Sequence, residues 1–169
     1  MTTRKSNVKW GDAAVDLAGN EVKVGQKAPD FSALDLSGKS VSLKDTSGVR
    51  IFSSVPSLDT KVCDVETRRF NVEAGKLPGV TIYTVSVDLP AGMKRWCGAA
   101  GVSAVQMLSD HRSVSFGEHW GVLEPSRRML ARAVFVIDKD STVRYVEYVS
   151  SVGSEPDYDK VISATKALL

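Results

Sequence analysis

Two thiols, Cys63 and Cys97, are the side chains of this chain best suited to covalent chemistry, and they stand in unequal settings. Cys63 follows the β-branched and aromatic run Val49–Val55 and lies in the first turn of a helix-compatible stretch from about Thr60 to Ala74. Unpaired amide N–H groups and the positive end of a helix dipole at such a place favour a thiolate over a thiol. Thr60, three residues earlier, can aim its hydroxyl at the sulfur or at a bound oxygen ligand, and Pro56 removes a backbone donor and stiffens the loop. An isolated cysteine is more often a small buried hydrophobe than a nucleophile. The strand-to-helix junction behind Pro56-x-x-x-Thr60-x-x-Cys63 tilts that balance toward reactivity.

Other chemistries are poorly supplied. Two cysteines and two histidines, His111 and His119, offer no CxxC or HxxxH spacing, so neither a metal site nor a disulfide-rich scaffold is expected. Both histidines read as surface or loop residues, and Trp10, Trp96 and Trp120 as packing residues. Lys and Arg number 22 against 20 Asp and Glu, a net charge of +2 without a basic run, which leaves no argument for nucleic acid. The longest apolar stretches, such as Ala133–Ile137, are strand-sized, far short of the roughly 20 residues of a membrane span. The basic start Met1–Ser6 has no apolar segment behind it to make a secretory signal, so a cytoplasmic protein is expected.

The elements that must hold the thiols read as strand alternating with helix. Val8–Trp10 and Ala14–Leu17 around Gly11-Asp12 predict a hairpin within residues 1–20. Val24–Phe31 reads as a loop, and Val41–Leu43 and Val49–Val55 as strands. A helix from Thr60 to Ala74 follows, capped by Asp59 or Thr60 and stopped by Gly75. Val80–Val87 is a near-continuous apolar strand of the kind buried on both faces. A short helix, Ala91–Ala100, lies between Pro90 and Gly101, and Cys97 sits on it. Gln106–Ser109 is a strand and Ser113–Trp120 a helix. Ala131–Asp138 and Thr142–Val149 form a hairpin, and a last helix opens at Pro156-Asp157. The charged run Asp64–Arg69 reads as a solvated helix face with one or two i,i+4 pairs. Alternation with a closing hairpin predicts an α/β domain with a mixed sheet, one domain over residues 1–169.

Several strings in this order resemble the peroxiredoxins, and within them the thiol peroxidase subfamily. Pro56-x-x-x-Thr60-x-x-Cys63 is similar to the active-site signature. Ser54–Asp64, running on to Thr67-Arg68-Arg69-Phe70-Asn71, is similar to the subfamily's longer string. Val24-Gly25-x-x-Ala28-Pro29-Asp30-Phe31, Leu108-Ser109-Asp110, the Phe116–Val122 region, Leu130–Asp138 and Glu155–Tyr158 carry the likeness across nearly the whole chain.

The resemblance implies a thioredoxin-like fold with an N-terminal β-hairpin extension. It implies reduction of hydrogen peroxide and organic hydroperoxides to water and alcohols, with Cys63 as the attacking (peroxidatic) thiolate. Cys97 matches the resolving position, giving an intramolecular Cys63–Cys97 disulfide recycled by thioredoxin or a similar dithiol protein. Arg132 matches the active-site arginine and joins Thr60 and Pro56 around the sulfur. By its own setting it opens an apolar strand, where a guanidinium seldom sits without an anionic partner, although one at a strand end can also snorkel to solvent. No metal, haem or flavin is implied, and the subfamily is typically homodimeric. Three departures stand out: Lys61 where a small residue or Pro is usual, Glu66 where Gln is common, and Trp96 where Phe is usual. None of them is expected to touch the reacting groups. The rival readings are a thioredoxin-fold disulfide oxidoreductase, which the missing CxxC opposes, and a redox-responsive binding module or holdase.

Overall fold

A computed structural model describes residues 1–169. In chain order the strands are β1 (Thr3–Trp10), β2 (Ala13–Ala18), β3 (Ser32–Leu34), β4 (Ser40–Ser42), β5 (Val49–Ser54), β6 (Val80–Ser86), β7 (Gln106–Ser109), β8 (Leu123–Glu124), β9 (Met129–Leu130), β10 (Ala133–Ile137) and β11 (Val143–Tyr148). The helices are α1 (Lys61–Ala74), α2 (Pro90–Ala100), α3 (Ser115–His119) and α4 (Tyr158–Lys166). Seven strands form the main sheet in the order β11-β10-β5-β6-β7-β3-β4, and β1-β2-β8-β9 form a second, four-stranded sheet. Strands β5, β6 and β7 run parallel, while β10 lies antiparallel to both β5 and β11. The mixed sheet and the N-terminal hairpin are therefore present as expected. No helix is long and apolar enough to cross a membrane.

Strand β5 is buried on both faces, and its alternation sends successive side chains into two cores. Phe52 joins the first, where Phe31, Phe116, Trp120 and Phe135 meet Val8, Leu17 and Ala18 of the hairpin. Phe116 and Trp120 stack there with centroids 4.8 Å apart. Full burial of one such side chain stabilises by about 1.5–3 kcal/mol. Ile51 joins the second core, shared by Phe70 and Cys63 of α1, Met93 and Cys97 of α2, and Val161 of α4. Both thiols thus face the same side of the main sheet.

Two neighbouring parallel strands deliver those helices from the same end of the sheet. α1 follows the C-terminal end of β5, and α2 follows that of β6. α2 starts with Pro90 at its first turn and stops at Gly101, whose φ of 68° closes the last turn through its N–H on the Cys97 carbonyl. On α4 the Asp157 side chain accepts from Lys160 N at 3.1 Å, as its place behind Pro156 predicts.

Some boundaries differ from expectation. β1 begins at Thr3, because its first half pairs charged and polar residues that carry no apolar alternation. Strands β3, β8 and β9 are two or three residues long, too short for a periodic signal, and lie where no element was expected. β10 begins at Ala133, so Arg132 stands just ahead of the strand rather than within it.

Candidate active site

The loop from β5 to α1 is held by one carboxylate. Asp88, just after β6, accepts from Ser57 Oγ at 2.7 Å, from Leu58 N at 2.9 Å and from Ser86 Oγ at 2.6 Å. Val55 N extends the β5–β6 pairing onto the Val85 carbonyl, and Pro56 is buried in the turn that follows. Thr60 then takes the N-cap position in extended conformation, with its side chain free of the usual capping bond.

That freedom matters, because the Thr60 hydroxyl is spent elsewhere. Its oxygen lies 2.8 Å from Cys63 Sγ and 2.8 Å from the Ser57 carbonyl. A hydroxyl has one proton. With a thiol at Cys63 the proton can rest on the carbonyl while S–H points at the oxygen; with a thiolate it turns to the sulfur. Cys63 itself is completely buried, whereas Thr60 and Asp59 are exposed.

The register of β10 against β5 brings in the second donor. Ala133 pairs with Ser54, and Ser54 Oγ donates to the Ala131 carbonyl at 2.8 Å, which leaves Arg132 beside the loop that leads to Cys63. Arg132 Nη2 donates to Cys63 Sγ at 3.3 Å and to the Val152 carbonyl at 2.7 Å. Its Nη1 donates to Glu66 Oε2 at 2.5 Å, and Ser53 Oγ donates to the other Glu66 oxygen at 2.8 Å. Arg132 is 1% exposed and Glu66 0%, so the arginine does not snorkel and has the anionic partner its setting requires.

Glu66 bears on two expectations. The run Asp64–Arg69 is not uniformly solvated: Arg68 and Asp64 make the i,i+4 pair, but Glu66 and Thr67 are wholly buried. Nor does this departure stand apart from the surroundings of the sulfur, since Glu66 binds the guanidinium that donates to Cys63. The missed signal was helical spacing. Cys63, Glu66, Thr67 and Phe70 recur at three- and four-residue steps and share one face of α1. Burial pushes the Glu66 carboxyl up to about 7, against the pull of Arg132 and Ser53. Burial opposes the charge on Arg132 too, but Glu66 and Cys63 outweigh it and hold the guanidinium above its ordinary range.

Cys97 lies in the last turn of α2, in the same apolar cluster as Cys63, and both are free thiols. Burial pushes the Cys97 thiol up. The structure therefore gathers Cys63, Thr60 and Arg132 within hydrogen-bond reach, places Pro56 in their loop, and keeps Cys97 as a separate thiol on the neighbouring helix. Trp96 donates its indole N–H to Asp64, so it does more than pack. Trp120 is core, Trp10 lies under the Arg127 guanidinium, and Lys61 is exposed. His119 is an exposed residue with Nδ1 2.7 Å from the Asp30 carbonyl, and His111 is half-buried in a turn.

Comparison with known proteins identifies the family. Residues 24–146 match the AhpC/TSA family. The chain belongs to the AhpC/TSA family of peroxiredoxins, in its thiol peroxidase branch. It is 54% identical over 165 residues to a thiol peroxidase of Bacillus subtilis (strain 168), covering 97% of this chain and 99% of that one. It is 55% identical over 154 residues to a thiol peroxidase of Halalkalibacterium halodurans, covering 90% and 93%. A peroxiredoxin-like protein of Aquifex aeolicus superposes with a TM-score of 0.91 at 36% identity, over 99% of each chain. Like other peroxiredoxins of that branch, the chain has thiol peroxidase activity, with a peroxide as substrate.

Proposed function

We propose that this peroxiredoxin reduces hydrogen peroxide and organic hydroperoxides at Cys63, forms a disulfide with Cys97, and is recycled by thioredoxin or a similar dithiol protein. One observation carries the reading: the Cys63 sulfur faces two donors, the Thr60 hydroxyl and Arg132 Nη2. In the reaction the Cys63 thiolate attacks one peroxide oxygen and the O–O bond breaks. The departing hydroxide or alkoxide takes a proton from solvent and leaves as water or alcohol, and Cys63 is left as a sulfenic acid. Negative charge moves from sulfur to the leaving oxygen along this line, so donors fixed beside the sulfur stabilise the transition state more than the ground state.

The ion pair to Glu66 and the two bonds to the Val152 carbonyl fix the guanidinium, so its orientation is not left to be found during the reaction. Thr60 is exposed and adjoins the sulfur, so the peroxide approaches over it as its hydroxyl turns. Pro56 shapes the buried start of the loop. Cys97 then attacks the sulfenic sulfur: an S–S bond forms, the S–O bond breaks, and the hydroxyl leaves as water with the Cys97 proton. Two free thiols fit a reducing compartment, and a cytoplasmic location is part of the proposal. So are a homodimer and a single domain over residues 1–169; the hairpin's sharing of the first core supports the latter.

Steady-state turnover of several peroxides with thioredoxin, thioredoxin reductase and NADPH tests the reading. NADPH consumption that requires all components and both cysteines is expected. Peroxide-dependent oxidation of Cys63 that thioredoxin cannot reverse would overturn the recycling step.

A further inference from the structure

α1 and α2 are tied together at one place, between the chain neighbours of the two thiols. Asp64 follows Cys63, and Trp96 precedes Cys97. The Trp96 indole Nε1 donates to Asp64 Oδ1 at 3.0 Å. The other Asp64 oxygen accepts from Arg68 Nε at 2.9 Å, and the Arg68 guanidinium returns over the Trp96 ring, 5.7 Å from its centroid. Arg68 Nη1 also reaches the Ala100 carbonyl, on the final residue of α2, at 3.3 Å. The four groups form a clasp across the two helices.

The rest of α2 is lightly anchored, with Trp96 and Ala100 only partly buried against the second core. Met93 and Cys97 are its only buried side chains, and Gly92 and Gly98 lower its helical stability. Both thiols are free in this arrangement, each folded into its own helix. A disulfide restricts the two Cα atoms to within about 7 Å and fixes the directions of both Cβ bonds. Cys63 sits in a first turn and Cys97 in a last turn, packed in an apolar cluster that disfavours the Cys97 thiolate. Opening the end of α2 frees the backbone and lets that thiol ionise in water. The clasp must break for this to happen.

We propose that Trp96 is a positioning residue for the resolving step: its indole N–H, held by Asp64, keeps α2 folded and sets how often Cys97 reaches the Cys63 sulfenic acid. The proposal rests on the reading that Cys97 resolves Cys63. A charge-assisted bond is among the stronger hydrogen bonds, and a phenylalanine at this position could not make it. The clasp therefore lengthens the life of the sulfenic acid. During that life a second peroxide can oxidise the same sulfur to sulfinic acid, the peroxide being reduced to water or alcohol. Trp96 thus slows resolution and raises the share of enzyme lost to overoxidation.

Rapid-quench mass spectrometry after one equivalent of peroxide, with sulfenic acid trapped by a dione, reads resolution directly. Trp96→Phe is expected to form the disulfide about tenfold faster than the parent, equivalent to about 1.4 kcal/mol. It should also yield several-fold less sulfinic acid per turnover. In a Cys97→Ser background the same change should leave the rate of Cys63 oxidation unaltered, which general loosening of the fold would not. In an Asp64→Ala background the acceleration by Trp96→Phe should vanish, because the shared bond is already gone. Should Trp96→Phe fold poorly, Asp64→Ala alone is expected to accelerate resolution in the same way. Resolution within twofold of the parent in both single variants, or an undiminished Trp96→Phe effect without Asp64, would overturn the clasp alone. A Cys97→Ser protein that accumulates no sulfenic acid would overturn the resolving role and the proposal with it.

Discussion

Glu66 and Arg132 form a buried ion pair directly beneath the Cys63 sulfur. Glu66 lies one helical turn beyond Cys63 on α1, and a single guanidinium spans both, 2.5 Å from the carboxylate and 3.3 Å from the sulfur. A buried pair of this kind gives little net stability, because desolvation offsets most of the attraction. Its use is orientation. With Nη1 held by Glu66, and Nε and Nη2 by the Val152 carbonyl, Nη2 has one direction left, toward Cys63.

Glu66→Gln should change how stability depends on pH. The folded protein holds the Glu66 proton more tightly than the unfolded chain, whose carboxyl titrates near 4.5, since burial raises the folded value to about 7. Stability of the parent relative to Glu66→Gln should therefore be greatest below about 4.5, decline as pH rises to about 7, and stay level above. The full change is on the order of 3 kcal/mol. Asp110, raised by burial to about 6, acts in the same direction in both proteins and cancels in the difference. Urea midpoints across this range give the measurement; a flat difference would mean that Glu66 ionises as an ordinary carboxyl.

Arg132→Lys should slow Cys63 oxidation by about 100- to 1,000-fold, the usual cost of losing one preorganised donor to developing charge. One ammonium cannot reproduce a fork that meets Glu66, Cys63 and the Val152 carbonyl at once. Stopped-flow oxidation of the reduced enzyme would show this, and a near-parental rate would confine Arg132 to a structural role.

Replacing Thr60 separates shape from hydrogen bonding. Thr60→Val keeps the volume and loses the hydroxyl that lies 2.8 Å from both Cys63 Sγ and the Ser57 carbonyl. Peroxide reduction should drop by about 10- to 100-fold, and Thr60→Ser should restore most of it. Equal rates in the Val and Ser variants would remove the hydroxyl from the mechanism.

The two cysteines should fail differently. Cys63→Ser should abolish peroxide reduction, because a hydroxyl offers almost no anion near neutral pH. Cys97→Ser should consume one equivalent and stall as the sulfenic acid under thioredoxin, as intact-mass measurement would register. The reverse pattern would exchange the attacking and resolving roles.

Much of this was legible in the residues. Val49–Ser54 announces a buried strand by composition, Thr60 and Cys63 follow at helix-start spacing, and Pro90 and Gly101 bracket α2. These are local signals: backbone preference, caps and turns act over a few residues and can be read from them. The roles assigned by resemblance needed only matching strings. Even Glu66 had its periodicity, but the alternating charges around it concealed the apolar company it keeps.

What the sequence by itself determined is the order of the longer strands and the helices, and the setting of Cys63 at a strand-to-helix junction. Only the tertiary structure decided that Glu66 turns inward to Arg132, across 66 positions of sequence, and that Trp96 clasps Asp64. The physical reason is that a carboxylate is tolerated in a core only where a partner from another element meets it. That partner's position depends on the register of β10 against β5, which no local pattern specifies. The acid, the arginine and the sulfur become neighbours only when the sheet is built.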